Sequence, residues 1–287
     1  MTCYLCGSGN AERVEGKVRD RPDIGILRCA ECGLVFLDSF AHVDATFYRA
    51  DYTNANHPEQ SWQHHLNACR TDDERRLAQI SPHIANRRYL DVGCGGGGVL
   101  LRARAHCSVA CGVEPQSRWR AELADEGIEM HASLDEVDDG RFDVATAFHV
   151  LEHVADPLTF LRKLAAKVAA GGLLWLEVPS ADDALLNLYR SKAFSEFTYW
   201  SPHLFLYSPH TFGLLLRKAG LESNAVIQQF QRYPLSNHLH WLAHGKPGGH
   251  ETWSFLDSPA LTQTYASQLA ALGKCDTLIA TIRKAAL

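Results

Sequence analysis

Four cysteines near the start of the chain fall into two matched pairs. They are Cys3-x-x-Cys6, followed by Gly7, and Cys29-x-x-Cys32, followed by Gly33. A Cys-x-x-Cys-Gly run makes a tight knuckle. Two thiols converge, backbone N–H groups point at the sulfurs, and glycine permits the turn. Two knuckles supply four thiolates, a donor set that suits tetrahedral Zn2+. The 22 residues between the pairs slightly exceed the usual spacing of roughly 15–20 but stay within reach of a ribbon. Ligands from Cys3, Cys6, Cys29 and Cys32 leave no open position, so a zinc ion there is expected to be structural. A redox pair is the competing reading. Cys69, Cys94, Cys107, Cys111 and Cys275 are scattered and read as small core residues.

A second chemical feature is the run Tyr89-Leu-Asp-Val-Gly-Cys-Gly-Gly-Gly-Gly98. It ends a strand and opens a helix, and its glycines let the backbone approach a ligand beside a helix N-terminus. Alone, Gly93-x-Gly95-x-x-Gly98 also fits a dinucleotide fingerprint. Three further residues or runs narrow the choice. Asp91 sits in the strand end, where a carboxylate faces an ammonium group. Glu114 ends the next strand, 23 residues after Asp91, and is placed for two ribose hydroxyls. A third strand then runs into His149-Val-Leu-Glu-His153-Val-Ala-Asp-Pro157. The bland alternative is a tight turn followed by a solvated strand end.

These residues need a scaffold, and the pattern from Tyr89 onward provides one. Short apolar strands are expected at Tyr89–Val92, Ser108–Val113, Phe142–Phe148 and Leu173–Val178. Helices are expected between them near Val99–Ala105, Ser117–Glu126 and Pro157–Ala169. Such alternation means βαβ units and an α/β fold with a mostly parallel sheet. A helix near Ser208–Lys218, a strand at Glu222–Phe230 and a last strand at Thr277–Lys284 complete it. Three regions follow: a four-cysteine zinc module at 1–38, a helical connector or lid at 39–84 and a ligand-binding domain at 85–287. The connector is rich in aromatics and histidine (Phe47, Tyr48, Tyr52, Trp62, His64, His65), with a helix over Thr71–Ile84. The last domain carries an insertion at 231–275 with a helix over Ala260–Leu272.

The bulk numbers exclude several classes. At 46% hydrophobic and 21% charged, the chain is globular with a sizeable core. A formal charge of −5 gives nucleic acid no electrostatic support as a partner. The N-terminus lacks an apolar leader, and there is no run of 18 apolar residues. The expectation is a cytoplasmic protein with no membrane span, in which nine cysteines argue against a disulfide framework. Oligomeric state is not indicated.

Residues from about 71 to 230 resemble class I S-adenosylmethionine-dependent methyltransferases of the small-molecule type. The motif after strand four in that family reads H-x-L-E-H-x-x-D-P. Pro157 and the stretch from Gly171 to Pro179 also match. The resemblance implies a Rossmann-like sheet, here with an N-terminal zinc ribbon and an insertion between the last two strands. It implies that Asp91, Gly93, Cys94 and Gly95 hold the methionine part of the cofactor, and that Glu114 with Pro115 holds the ribose. Ser133 and Leu134 would flank the adenine, and Phe148 and His149 would line the pocket. Related quinol O-methyltransferases carry a metal on a Glu-x-x-Glu-His version of the motif, in which His149 stands where the first Glu would be.

A sulfonium is already an activated methyl donor, so the protein mainly aligns donor and acceptor. A hydroxyl or acidic-carbon acceptor also needs a base, usually histidine. The candidates are His203, His149 and His153. The segment Tyr199-Trp-Ser-Pro-His-Leu-Phe-Leu-Tyr207 resembles the family's approach to the helix before strand six, which borders the acceptor. That puts His203, Tyr199 and Tyr207 beside the substrate; the alternative is that His203 caps the helix. Arg232, Asn237, His238 and Trp241 in the insertion suit a polar or anionic small molecule. Packing of the insertion on the core is an equal alternative; His64 and His65, ahead of the first core helix, are lesser candidates for a contact. The leading expectation is methyl transfer to oxygen or carbon of a small polar acceptor: a sugar, nucleotide sugar or natural-product intermediate. A zinc module before this domain resembles sugar C-methyltransferases. A zinc-ribbon RNA methyltransferase and a non-catalytic scaffold are the alternatives.

Overall fold

The computed structural model describes residues 1–43, 47 and 61–286. Tyr48 and Tyr52 of the expected connector lie outside the described residues. Seven strands form the main sheet: β4 (Arg88–Val92), β5 (Val109–Val113), β6 (Glu129–His131), β7 (Phe142–Phe148), β8 (Val168–Pro179), β10 (Ala225–Phe230) and β11 (Thr277–Arg283). Their order is β10-β11-β8-β7-β4-β5-β6. Only β11 runs against the rest, pairing antiparallel with both β8 and β10. The remaining pairs are parallel, as the sequence alternation predicts.

Central strands such as β7 are apolar because both faces are covered. On one face lie α1 (Trp62–Ile84), α2 (Gly98–Ala103) and α3 (Ser117–Asp125), burying Ile80, Leu100, Leu123 and Trp175 together. On the other lie α4 (Pro157–Lys167) and α7 (Pro209–Ala219), burying Leu161, Leu164, Phe212 and Leu216. The α7 ends follow local chemistry. Ser208 and Thr211 form a capping box, Pro209 opens the helix, and Gly220 closes it with φ of 79°.

The first helix differs from expectation. It begins at Trp62, with Ser61 as N-cap accepting from the His64 N–H, nine residues before Thr71. Histidine and tryptophan are indifferent helix formers, so tertiary packing at Trp62 decides what propensity left open. Residues 222–224 form a 3-10 turn rather than the start of the strand. The β6 edge strand has no alternating pattern and exists through its pairing with β5.

The N-terminal ribbon is β1 (Ala11–Arg13), β2 (Ile26–Cys29) and β3 (Val35–Leu37). Its sheet is extended by β9 (Phe205–Leu206), which pairs with β3 as Val35 with Leu206 and Phe36 with Phe205. Cys3, Leu5, Leu34 and Phe36 share one buried cluster with Leu161, Phe205 and Leu216. Between β8 and β9 lie two short helices, α5 (Ala184–Asn187) and α6 (Lys192–Ser195). The insertion carries α8 (Leu235–His244), α9 (Gly249–Thr252) and α10 (Pro259–Ala271).

Candidate active site

A cavity of about 680 Å3 opens at the C-terminal edge of β4, β5 and β7, where ligands bind in open α/β sheets. Its floor at one end is the glycine turn. Gly93 has φ of 69°, and a Cβ there would lie 2.5 Å from Val150 Cγ2. Gly96 has the ring of His65 where a Cβ would be, at 2.5 Å. Neither position accepts a side chain, and Gly93 presents bare backbone to the cavity. The Gly95 N–H donates to Glu114 Oε2 and the Gln116 N–H to Oε1, both at 2.9 Å. Burial, opposed by these two donors, raises the Glu114 pKa. Each carboxylate oxygen keeps a lone pair for a further donor. Gly93, Gly95, Glu114, Pro115, Ser133, Leu134, His149 and His153 all line this one cavity.

At the other end the chain builds an ionic chain on β7 and β8. His149 has φ of 54°, a strained conformation for a residue with a side chain. The strain aims its ring between two buried carboxylates. Nδ1 lies 3.0 Å from Glu152 Oε1 and Nε2 lies 3.2 Å from Glu177 Oε1. Glu177 is fully buried and also receives Arg75 at 2.9 Å and Arg76 at 2.8 Å. Burial lowers the His149 pKa, but Glu152 and Glu177 outweigh it, so the net shift is upward from the ordinary histidine value. The two carboxylates therefore favour the protonated form of His149. Its neighbour His153 is the reverse, since burial lowers its pKa. The His203 ring meets that of His153 edge-on at 4.7 Å, and burial pushes its pKa down to about 3. Donor atoms of Glu152, His153 and His203 lie within 4.8 Å of one another.

Residues 62–226, more than half the chain, match the family model described as a methyltransferase domain. The chain belongs to this methyltransferase family. A ubiquinone biosynthesis O-methyltransferase of Aeromonas salmonicida is 32% identical over 126 residues, 39% of this chain and 50% of that protein. The mitochondrial protein of the same description from Schizosaccharomyces pombe is 32% identical over 133 residues, 41% and 47% of the two chains. The chain thus spans about half the length of these curated relatives. Two solved structures share the fold. An S-adenosylmethionine-dependent methyltransferase from Archaeoglobus fulgidus superposes with a TM-score of 0.53 at 17% identity, over 84% of this chain and all of that one. The 1,6-didemethyltoxoflavin-N1-methyltransferase of Burkholderia thailandensis, solved with bound 1,6-didemethyltoxoflavin and S-adenosylhomocysteine, gives 0.51 at 16% identity, over 89% and 97%.

Within the methyltransferase domain, several residues expected at the site stand elsewhere. Asp91 lies behind the turn, 3% exposed, accepting from Thr146 Oγ1 at 2.7 Å, and burial pushes its pKa up to about 7. Cys94 and Phe148 are not among the cavity-lining residues; Phe148 packs under the Arg76 guanidinium, 5.0 Å from the ring centre. His203 stands behind His153 instead of in the wall. Tyr207 is fully buried between Phe205 and Phe212, so it is core. Tyr199 is buried and faces a smaller cavity of about 380 Å3 beside the ribbon. Trp200 and Pro202 are among the wall residues that sequence reasoning missed.

The four insertion residues also stand away from the cavity, and three of them are paired with other parts of the chain. Arg232 is paired with Asp72 of α1. His238 is buried, with Nδ1 2.7 Å from Tyr265 Oη and its pKa pushed down to about 4 by burial. Trp241 is buried between Phe194 and Phe197, at 5.2 and 5.0 Å. Asn237 is buried on the same helix. None of the four lines the large cavity. His65 stacks on Trp119 at 4.8 Å and covers the outside of the glycine turn.

The two knuckles meet. Cys3 Sγ lies 3.5 Å from Cys32 Sγ, Cys6 Sγ lies 3.4 Å from Cys29 Sγ, and all four sulfurs fall within 4.8 Å. Four sulfurs at about 2.3 Å from one ion sit roughly 3.8 Å apart, so the set fits tetrahedral zinc. Burial opposes ionisation of Cys29, yet the N–H groups of Cys32 and Glu31 bring its pKa down to about 7.

Proposed function

We propose that this methyltransferase moves a methyl group from S-adenosylmethionine to a hydroxyl of a small acceptor, with His153 as general base. The carrying observation is the single cavity. It joins a bare glycine turn and a ribose-ready Glu114 at one end to a neutral His153 beside Trp200 and Pro202 at the other. Gly93 and Gly95 take the amino-acid part of the donor, Glu114 the ribose, and Ser133 and Leu134 the adenine. When bound, the donor supplies an activated methyl on sulfonium.

His153 takes the acceptor proton as the oxygen attacks. The imidazolium formed is stabilised by Glu152, whose Oε2 is buried with no hydrogen-bond partner among the described residues. His149 is the poorer base, because Glu152 and Glu177 on either side of its ring favour its protonated form. It fixes the orientation of Glu152. The wall of Val150, Val154, Phe160, Trp200 and Pro202 favours an acceptor with a flat apolar face carrying a hydroxyl over a sugar. The O-methyltransferase relatives support transfer to oxygen. The four-cysteine cluster holds structural zinc.

Glu152, His153 and His203 also have a spacing a divalent cation uses. The protonated form favoured for His149 beside Glu152 disfavours one there.

Calorimetry with S-adenosylmethionine tests the reading. Micromolar binding by the zinc-loaded chain is expected; none below millimolar would leave a scaffold. Activity that appears only with added Mg2+ or Mn2+ would replace His153 as base with a metal centre.

A further inference from the structure

We infer that the ribbon residues Arg19 and Asp20, with His42, are positioning residues for the acceptor wall, and that the metal of the four-cysteine cluster thereby governs the acceptor half of the cavity and not the cofactor half. This rests on the methyl-transfer reading for what the wall faces; the contacts themselves do not depend on it.

This part of the wall is carried by the segment 199–204. Trp200 and Pro202 face the cavity, and between them Ser201 is 2% exposed. The polar atoms of Ser201 turn toward the N-terminal residues. Its N–H donates to Asp20 Oδ1 at 3.0 Å, its hydroxyl to Asp20 Oδ2 at 2.7 Å, and its carbonyl meets His42 Nε2 at 2.7 Å. On one side, the Arg19 N–H donates to the Tyr199 carbonyl at 3.0 Å. The Arg19 guanidinium lies 4.7 Å from the ring centres of both Phe197 and Trp200, the geometry of a double cation–π contact. On the other side, the Leu37 N–H donates to the Leu204 carbonyl at 3.1 Å. The opposite edge of the wall leads to the base. The Leu204 N–H donates to the Glu152 carbonyl at 2.8 Å, and His203 meets His153.

The cofactor end has separate anchors. Glu114 is held by Gly95 and Gln116, the Gly93 N–H by the Val113 carbonyl, and the Gly96 carbonyl by Trp62. All of these lie within residues 62–131. The ribbon has three short strands and, apart from the buried cluster it shares with the main domain, too little core of its own to fix its shape without a metal or another staple. Arg19 and Asp20 sit in its β1–β2 connection, and β2 ends at Cys29. Metal at the thiolates therefore fixes the ribbon, the ribbon fixes Ser201 and Trp200, and these set the acceptor wall.

The test uses the full zinc-loaded chain and its Asp20→Ala, Asp20→Asn and Arg19→Ala variants, read by amide hydrogen exchange and by calorimetry with S-adenosylmethionine. In Asp20→Ala, exchange across 199–206 is expected to rise at least tenfold, while 92–98 keeps its protection and the cofactor Kd stays within twofold. Asp20→Asn keeps an acceptor oxygen for Ser201 and should recover most of the protection. Arg19→Ala should give a smaller rise confined to 199–201. Chelating the metal should reproduce the Asp20→Ala pattern. Unchanged protection at 199–206 in Asp20→Ala, or a cofactor Kd that weakens in parallel, would overturn the inference. If the parent chain binds no S-adenosylmethionine while exchange still follows Asp20, the methyl-transfer reading fails and the clamp stands.

Discussion

The two ends of the large cavity are built by different means. The cofactor end is local: the turn after β4 and the carboxylate after β5 come from one βαβ unit. Their geometry follows from backbone rules, with Gly93 at positive φ and Glu114 capped by two N–H groups. The acceptor end is assembled from distant segments. Arg75 and Arg76 of α1, Glu177 of β8, His149 to His153 after β7, and the wall pinned by Asp20 converge there. Local rules make a site that spacing alone reveals. Long-range charge pairing makes one that only the fold reveals.

The sharpest way to break this contrast is at His153. His153→Ala should lower kcat by about 10^2–10^4 while the calorimetric Kd for S-adenosylmethionine stays near its parent value. A loss in Kd of similar size would mean the two ends are not separate. Glu177→Ala comes next. It strips Arg75, Arg76 and His149 of a fully buried counter-charge, and breaking such a group costs about 3–5 kcal/mol. Denaturant unfolding should show that loss. A change under about 1 kcal/mol, the scale of a solvent-exposed ion pair, would mean the cluster is held elsewhere.

The same contrast explains what was legible. Cys3, Cys6, Cys29 and Cys32, the glycine turn and Glu114 announce themselves because each set lies at fixed short spacing. The parallel sheet follows from the alternation after Tyr89. His203 drew attention as base, yet it lies behind His153, an order set by the β3–β9 pairing that spacing does not encode. Arg232 and Trp241 looked like ligand contacts because polar and aromatic types serve equally in binding and in docking a subdomain. A signal for Glu177 was present: a carboxylate inside the apolar run Leu-Leu-Trp-Leu-Glu-Val must find buried cations. Nothing in the sequence names Arg75 and Arg76 as those cations.

A smaller effect is expected at the cofactor end. Glu114→Ala removes a charged acceptor for hydroxyl donors, worth about 1.5–3 kcal/mol. Cofactor Kd should weaken by roughly 10- to 100-fold, with little change in the exchange protection of 199–206. An unchanged Kd would detach Glu114 from the ribose.

The smallest effect is a compensation between the two ends that the parent chain hides. His203 at the acceptor end has a pKa pushed down to about 3. Its unfolded value is about 6.5, so its contribution is full above pH 6.5 and is lost as pH falls toward 3. Asp91 at the cofactor end has a pKa pushed up to about 7, against about 3.9 unfolded. Its contribution is full below that unfolded value and is lost as pH rises toward 7. Between pH 6.5 and 4.5 each term changes by roughly 2 kcal/mol with opposite sign. Without cofactor, these two contributions therefore oppose each other there. Asp91→Asn keeps an oxygen for the Thr146 hydroxyl and removes one term, so its Tm should fall on acidification relative to the parent. His203→Gln removes the other and should tilt the curve the opposite way. Parallel Tm-against-pH curves for all three proteins would mean that burial does not perturb these groups in opposite directions.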